Sequence, residues 1–141
     1  KRANWEEKND TGEIQVRAGH DAYLRNFGCI HNRSISIDKI NNKVVGQDNL
    51  IQSRVNSKIK YDIRFHLYPG LSAVQTIGGN TLLIQINKNK ALLFSTNEKN
   101  LKIEKSIFFG GQKVLDNYCI VISGIMENNE KTIDWEIIKK L

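Results

Sequence analysis

The chain has 141 residues, 40% of them hydrophobic, with 21 Lys and Arg against 15 Asp and Glu for a formal net charge of +6. A single domain is expected at this length, and it can bury roughly two-thirds of its unfolded surface, so it needs neither a disulfide nor a metal to fold. The composition excludes full disorder and an acidic tail, and no run of about 18 apolar residues is present to cross a membrane as a helix.

The two cysteines, Cys29 and Cys119, are too few for a disulfide framework and too far apart for zinc-type spacing, which leaves the redox compartment open. The sequence starts at Lys1 with no signal peptide before it, so it is expected to be a processed or trimmed piece of something longer. Lys, Asn and Ile are abundant, a bias that AT-rich codons produce, so the positive charge is weak support for a polyanionic partner. Aromatic residues, 8% of the chain, do not interleave with a basic stripe, and nucleic-acid binding is not expected.

In chain order, the first ~12 residues are the most polar and are expected to be the least ordered. Helical periodicity is almost absent after them, and alternation of apolar and polar residues dominates. Short strand candidates fall at 13–17, 34–38 and 43–46. At 61–67, Tyr61, Ile63, Phe65 and Leu67 alternate with Asp62, Arg64 and His66, the pattern of a half-buried strand that Pro69 then ends. The denser runs 81–86 and 118–125 read as strands covered on both faces, and further candidates lie at 91–95, 101–104 and 106–109. Near the end, Ile133, Trp135 and Ile137 alternate with Thr132, Asp134 and Glu136. Turn signals separate these segments at Asn41-Asn42, Gly78-Gly79-Asn80, Asn87-Lys88-Asn89, Gly110-Gly111 and Asn128-Asn129. Strands recurring every ~8–12 residues indicate an all-β, antiparallel sandwich or barrel of roughly ten or more short strands.

Three clusters could carry chemistry. In an extended segment from Cys29 to Ile37, His31 and Arg33 share a face with Cys29, Ile35 and Ile37, opposite Asn32, Ser34 and Ser36. A buried Arg needs a partner, so this pair either binds a carboxylate such as Asp21 or Asp48, or lines a cleft facing an anionic ligand. His20, Asp21 and Tyr23 gather acid/base-capable side chains, but neighbours on a strand point to opposite sides. His20 and Asp21 could therefore cooperate only in a turn; a capping or packing role is the alternative. Arg64 and His66 sit on the polar face of their strand, simply solvated or, on a concave face, bonded to sugar carboxylates. The candidate catalytic residues are thus His20, Tyr23 and His31, and the candidate substrate-binding residues are Arg33, Arg64 and His66. No metal-ligand motif, nucleophile elbow, phosphate-binding loop or dinucleotide fingerprint is found. Asn9-Asp10-Thr11 and Asn32-Arg33-Ser34 fit the glycosylation pattern, which is short enough to recur by chance.

Taken in order, Lys1-Arg2-Ala3, Gly19-His20-Asp21-Ala22-Tyr23, Phe27-Gly28, His31-Asn32-Arg33 and Gly46-Gln47-Asp48 form a recognisable series. It continues through Arg64-Phe65-His66-Leu67-Tyr68-Pro69, Leu82-Leu83-Ile84, Glu104-Lys105-Ser106-Ile107 and Asp134-Trp135-Glu136. The series resembles the C-terminal β domain of heparinase II/III-like proteins, found in bacterial polysaccharide lyases and their relatives. Ala22 stands where the pattern usually has Gly, and Tyr68 where a second His is common, which weakens any His-x-His site.

The resemblance implies a β-sandwich preceded, in the longer protein, by an α/α-toroid. It also implies β-elimination of uronic-acid polysaccharides: a base takes the proton α to the carboxylate, a neighbour neutralises that carboxylate, and a Tyr or His protonates the leaving oxygen. The family's catalytic Tyr and Asn/His on the toroid have no counterpart here. Its His-rich stretch and metal ligands lie upstream of Arg2-Ala3. The resemblance thus implies that this chain alone is inactive and holds no cofactor, while the longer protein can take a divalent metal. The implied partners are an anionic polysaccharide and the toroid, without nucleic acid or a membrane span, and the implied location is the periplasm or cell envelope. The alternatives are a non-catalytic carbohydrate-binding or structural β module of an envelope glycan protein and, from charge alone, a binder of nucleic acid or an anionic surface.

Overall fold

A computed structural model describes residues 2–53 and 58–140. Eleven strands and one helical turn follow in order: β1 (Ala3–Asp10), β2 (Glu13–His20), α1 (Leu24–Phe27), β3 (Cys29–Asp38), β4 (Lys43–Gln52), β5 (Ile59–His66), β6 (Ser72–Gln75), β7 (Thr81–Asn87), β8 (Lys90–Thr96), β9 (Leu101–Phe108), β10 (Leu115–Met126) and β11 (Glu130–Lys140). All pairings are antiparallel. Eight strands form one sheet in the order β1-β2-β3-β4-β11-β8-β7-β6, and β5-β10-β9 form the other. This is the all-β sandwich that the alternation predicts; four of the five turn signals lie between two strands, and Asn87-Lys88-Asn89 starts on the last residue of β7.

The core is what alternation places between the layers. Leu82, Ile84, Phe94, Ile133 and Trp135 come from the large sheet, and Ile63, Leu101, Ile120 and Ile122 from the small one. Phe65 packs edge-on against Phe94 and Trp135, with ring centroids 5.1 and 4.8 Å apart. Aromatic edges laid on faces are favourable beyond the area they bury.

Several expectations are corrected. Residues 3–10 are an ordered strand although β1 is exposed along its whole length, because every residue from Ala3 to Asp10 pairs in register with β2. Backbone bonding, not burial, orders it. The candidates at 101–104 and 106–109 are one strand, β9, since Lys105 pairs with Tyr118 without a break. β7 is not covered on both faces: Leu82 and Ile84 are buried while Leu83, on the opposite face, and Ile86, at a register irregularity, are exposed. β10 meets that expectation at Cys119–Ile122, all buried. Ile120 and Ile122 face the core, whereas Cys119 and Val121 face outward between the charged rows of β5 and β9. There Arg64 bridges Glu104 at 2.8 Å and Asp62 at 3.0 Å, and Lys102 bridges Glu104 at 2.6 Å. The aliphatic stems of these side chains shield the two apolar residues from water.

Candidate functional site

A polar cluster is built around Asp48, a carboxylate with no exposed surface. In β4, alternation turns Gly46, Asp48 and Leu50 inward. Arg33 on β3 lies directly opposite Asp48, and His31 lies one inward position along. Arg33 grips the carboxylate with two bonds, Nε to Oδ1 at 2.7 Å and Nη2 to Oδ2 at 3.1 Å. His31 Nε2 lies 2.6 Å from Oδ1, and Trp135 Nε1 donates to Oδ2 at 2.9 Å. The indole reaches that far because its partner across β4–β11 is Gly46. A Cβ at position 46 would sit 2.0 Å from the Trp135 ring, so only glycine leaves room for it. Arg33 also lies over aromatic faces, 5.6 Å from the Phe65 centroid and 5.9 Å from that of Trp135.

Burial pushes the Asp48 carboxyl up. The hydrogen bonds from His31, Arg33 and Trp135, with the charge of Arg33, outweigh that and leave it below the ordinary aspartate value. Of the two partners weighed for the His31/Arg33 pair, the structure selects Asp48. Asp21 instead accepts the backbone N–H of Arg2 at 2.8 Å, a bond that also depresses its carboxyl.

A second histidine extends the cluster. Ala22 N–H donates to His20 Nδ1 at 3.2 Å, and His20 Nε2 lies 3.2 Å from His31 Nδ1. Since His20 Nδ1 accepts, the proton of neutral His20 sits on Nε2 and is donated to His31. The proton of His31 must then be on Nε2, pointing at Asp48. The chain Ala22–His20–His31–Asp48 thus has one direction, fixed at one end by a backbone donor and at the other by a buried acceptor. His20 and Asp21 do not cooperate even though a turn follows β2, because they bond to different partners. The turn continues into α1, where Gly28 at φ 64 caps the end by donating to the Leu24 carbonyl. It sets Tyr23 edge-on to His20 with centroids 5.1 Å apart, and Phe27 near Tyr23 at 6.3 Å.

Between this turn and β5 opens a cleft of about 340 Å³, lined among others by Tyr23, Phe27, His31, Arg33, Tyr61 and Arg64. The side chains of His31 and Arg33 keep 20% and 33% of their surface exposed, and of the two only Arg33 has N–H groups left to reach a ligand. His20, Tyr23, His31 and Arg33 are therefore brought together. Arg64 stands at the rim, held by Asp62 and Glu104. His66 is elsewhere, on the outward side of β5 at 3.4 Å from Ser106. The sequence reading missed Trp135 and Gly46 as parts of the cluster. Their signal was present in Gly46-Gln47-Asp48 and in the inward alternation of 133–137.

Asp48, fully buried and accepting four N–H bonds, has no free lone pair with which to take a substrate proton. Both nitrogens of His31 are likewise engaged. These same bonds make His20, His31 and Asp48 a poor metal cage, and among the described residues no three His, Cys, Asp or Glu side chains converge on a metal position. The cleft instead offers aromatic walls and cationic edges, which suit an acidic sugar bound by stacking and charge-assisted hydrogen bonds.

The fold is shared with solved lyase structures. The chain superposes on the heparan sulfate lyase HepC from Pedobacter heparinus with a TM-score of 0.82 and 12% identity, covering 98% of this chain and 22% of that one. The heparinase III BT4657 gene product gives 0.74 and 12% over 96% of this chain and 21% of its own, and a further heparinase III gives 0.66 and 14% over 97% and 21%. The chain thus spans about a fifth of the length of these proteins. No curated protein sequence matches it. The family description "Heparinase II/III-like, C-terminal" matches residues 1–136, nearly the whole chain, and on that match the chain belongs to the heparinase II/III-like family as its C-terminal domain.

Proposed function

We propose that the chain is the sandwich portion of a polysaccharide lyase that cleaves a uronic-acid polysaccharide by β-elimination. In this reading it supplies a wall of the polysaccharide cleft and not the proton-transfer groups. The observation that carries the reading is the engagement of His31 and Arg33 by Asp48 beside an aromatic-lined, cationic cleft. Arg33 commits Nε and one edge of Nη2 to the fold and leaves the rest of its guanidinium to orient a carboxylate, while His31, bonded through both nitrogens, holds the wall in place. Tyr23 and Phe27 give a sugar ring apolar surface to rest on. Family membership and the lyase-like fold support this reading. It assigns proton abstraction, the α/α-toroid and any divalent metal to other parts of a longer protein, at work in the periplasm or envelope where such polysaccharides are met.

The purified chain, incubated with heparan sulfate, heparin and alginate, is expected to release no ultraviolet-absorbing unsaturated uronate and yet to retain uronate oligosaccharides. Product formation by the chain alone overturns the division of labour. In the longer protein, Phe27→Ala is expected to raise KM with kcat little changed; unchanged kinetics there take the cleft out of the substrate path. The second reading, a non-catalytic carbohydrate-binding module, is favoured by the saturation of His31 and Asp48. It prevails if the longer protein binds polysaccharide without cleaving it.

A further inference from the structure

The face of the large sheet turned away from the core holds a groove of about 470 Å³, larger than the His31–Arg33 cleft. Strand register arranges its floor in rows. Asn4, Gly19, Asn32, Asn49 and Thr132 lie side by side across β1, β2, β3, β4 and β11. Glu6, Arg17, Ser34, Gln47 and Asp134 form the neighbouring row. At the centre of the first row a Cβ on Gly19 would fall 2.2 Å from Asn32 Oδ1 and 2.9 Å from Asn4 Oδ1, so two carboxamides close over a bare backbone from either side.

The two halves of this floor differ. Toward β11 it is internally bonded: Asn49 Nδ2 donates to Glu130 at 2.7 Å and to Thr132 at 3.1 Å, and Gln47 Nε2 donates to Asp134 at 2.7 Å. Toward β1, the side chains of Asn4, Asn32 and Ser34 have no hydrogen-bond partner among the described residues. Arg17 has only a long 3.6 Å pairing with Glu6, and both side chains are more than half exposed. A planar guanidinium and several open carboxamides are thus set in one concavity with their bonding capacity unspent.

We propose that this groove binds a uronate-containing oligosaccharide, its carboxylate on Arg17 and its ring hydroxyls on Asn4, Asn32 and Ser34. The guanidinium fork matches a carboxylate with two parallel bonds, and each carboxamide offers a donor and an acceptor in one plane, the pairing that adjacent sugar hydroxyls need. Glu6 beside Arg17 adds a negative charge to the groove, which works against a densely sulfated chain. The inference rests on the polysaccharide reading above; its ligand-binding side chains lie on the outward face of the sheet, away from Tyr23 and Phe27, although Arg33 borders both concavities.

The test is titration of the chain with an unsulfated glucuronate–N-acetylglucosamine tetrasaccharide and, separately, a neutral N-acetylglucosamine tetrasaccharide, followed by calorimetry and backbone amide shifts. The acidic sugar is expected to bind roughly tenfold more tightly than the neutral one, with shifts on β1–β3 outward positions. Arg17→Gln should abolish that preference and Asn32→Ala should weaken both sugars, each with an unchanged melting temperature. Phe27→Ala in the cleft should leave the groove shifts intact. Binding that survives Arg17→Gln and Asn32→Ala but falls with Phe27→Ala overturns this inference and leaves the proposed function standing. Equal affinity for both sugars overturns the assigned ligand class. Binding of the acidic sugar at neither face overturns the inference together with the polysaccharide reading.

Discussion

Asp48→Asn removes one charge and almost no volume, and the geometry around it leaves the new amide nowhere to turn. Placed at Oδ2, the NH₂ faces the donors Arg33 Nη2 and Trp135 Nε1; placed at Oδ1, it faces His31 Nε2 and Arg33 Nε. His31 cannot escape by moving its proton to Nδ1. That proton would meet the Nε2–H of His20, whose own shift is blocked by the Ala22 N–H. Either orientation therefore orphans two donors. Trp135 is 5% exposed and cannot turn to water, whereas Arg33 can do so in part. At about 1–3 kcal/mol for each unsatisfied buried group, and with a buried pair broken, the expected loss is about 3–5 kcal/mol. For a chain this long that is a fall in Tm of roughly 10–15 °C.

The same residue sets a pH signature. The Asp48 carboxyl is depressed in the folded state, so its contribution is fully present above the unfolded aspartate value of about 3.9 and is lost as pH falls through the lower folded value. The stability gap between wild type and Asp48→Asn, measured by urea titration, should therefore be narrower below about pH 4 than at pH 7. Other depressed carboxylates such as Glu13, Asp38 and Glu136 occur in both proteins and cancel in the difference. A gap under about 1 kcal/mol at pH 7, or one that widens in acid, refutes the assignment of Asp48 as the buried acceptor.

Gly46→Ala drives a methyl into the Trp135 ring and should break its bond to Asp48, costing about 2–4 kcal/mol and shifting the buried tryptophan emission to the red; unchanged emission and stability would show that the indole does not lie on Gly46. Arg33→Lys keeps the charge but not the two-pronged grip, and denaturant unfolding should show a loss of about 1–2 kcal/mol, against none if the contact is simply ionic. Burial pushes both cysteine thiols up, so a thiol reagent should label Cys29 and Cys119 only as the chain opens. Arg64→Ala should speed labelling of Cys119 and not of Cys29; equal acceleration of both would mean that global unfolding, not the lost charged cover, exposes the thiol.

The direction of each side chain was legible in the sequence wherever alternation was strict. It put His31 and Arg33 on the inward face of β3, and Phe65 and Trp135 on the inward faces of β5 and β11. The choice of Asp48 over Asp21 was not legible, because it depends on a register between β3 and β4 that seats Arg33 opposite Asp48. Trp135 was harder still: its bond to Asp48 spans 87 residues and needs β11 to insert beside β4 instead of beside its sequence neighbour β10. β1 escaped notice because its order comes from backbone pairing with a hairpin partner, which composition does not report. β6 escaped because four residues, Ser-Ala-Val-Gln, are too few to show a period.

This distinction between direction and partner bears on where function can sit. Asp48 and Trp135 are buried and must be satisfied by other inward groups, which fixes their hydrogen bonds by folding. Outward polar groups carry no such obligation. Those near β11 are bonded to one another all the same, while Asn4, Arg17, Asn32 and Ser34 are not. Within the rows that cross the groove floor the difference falls at Asn4, Arg17, Asn32 and Ser34, the residues the proposed oligosaccharide would meet.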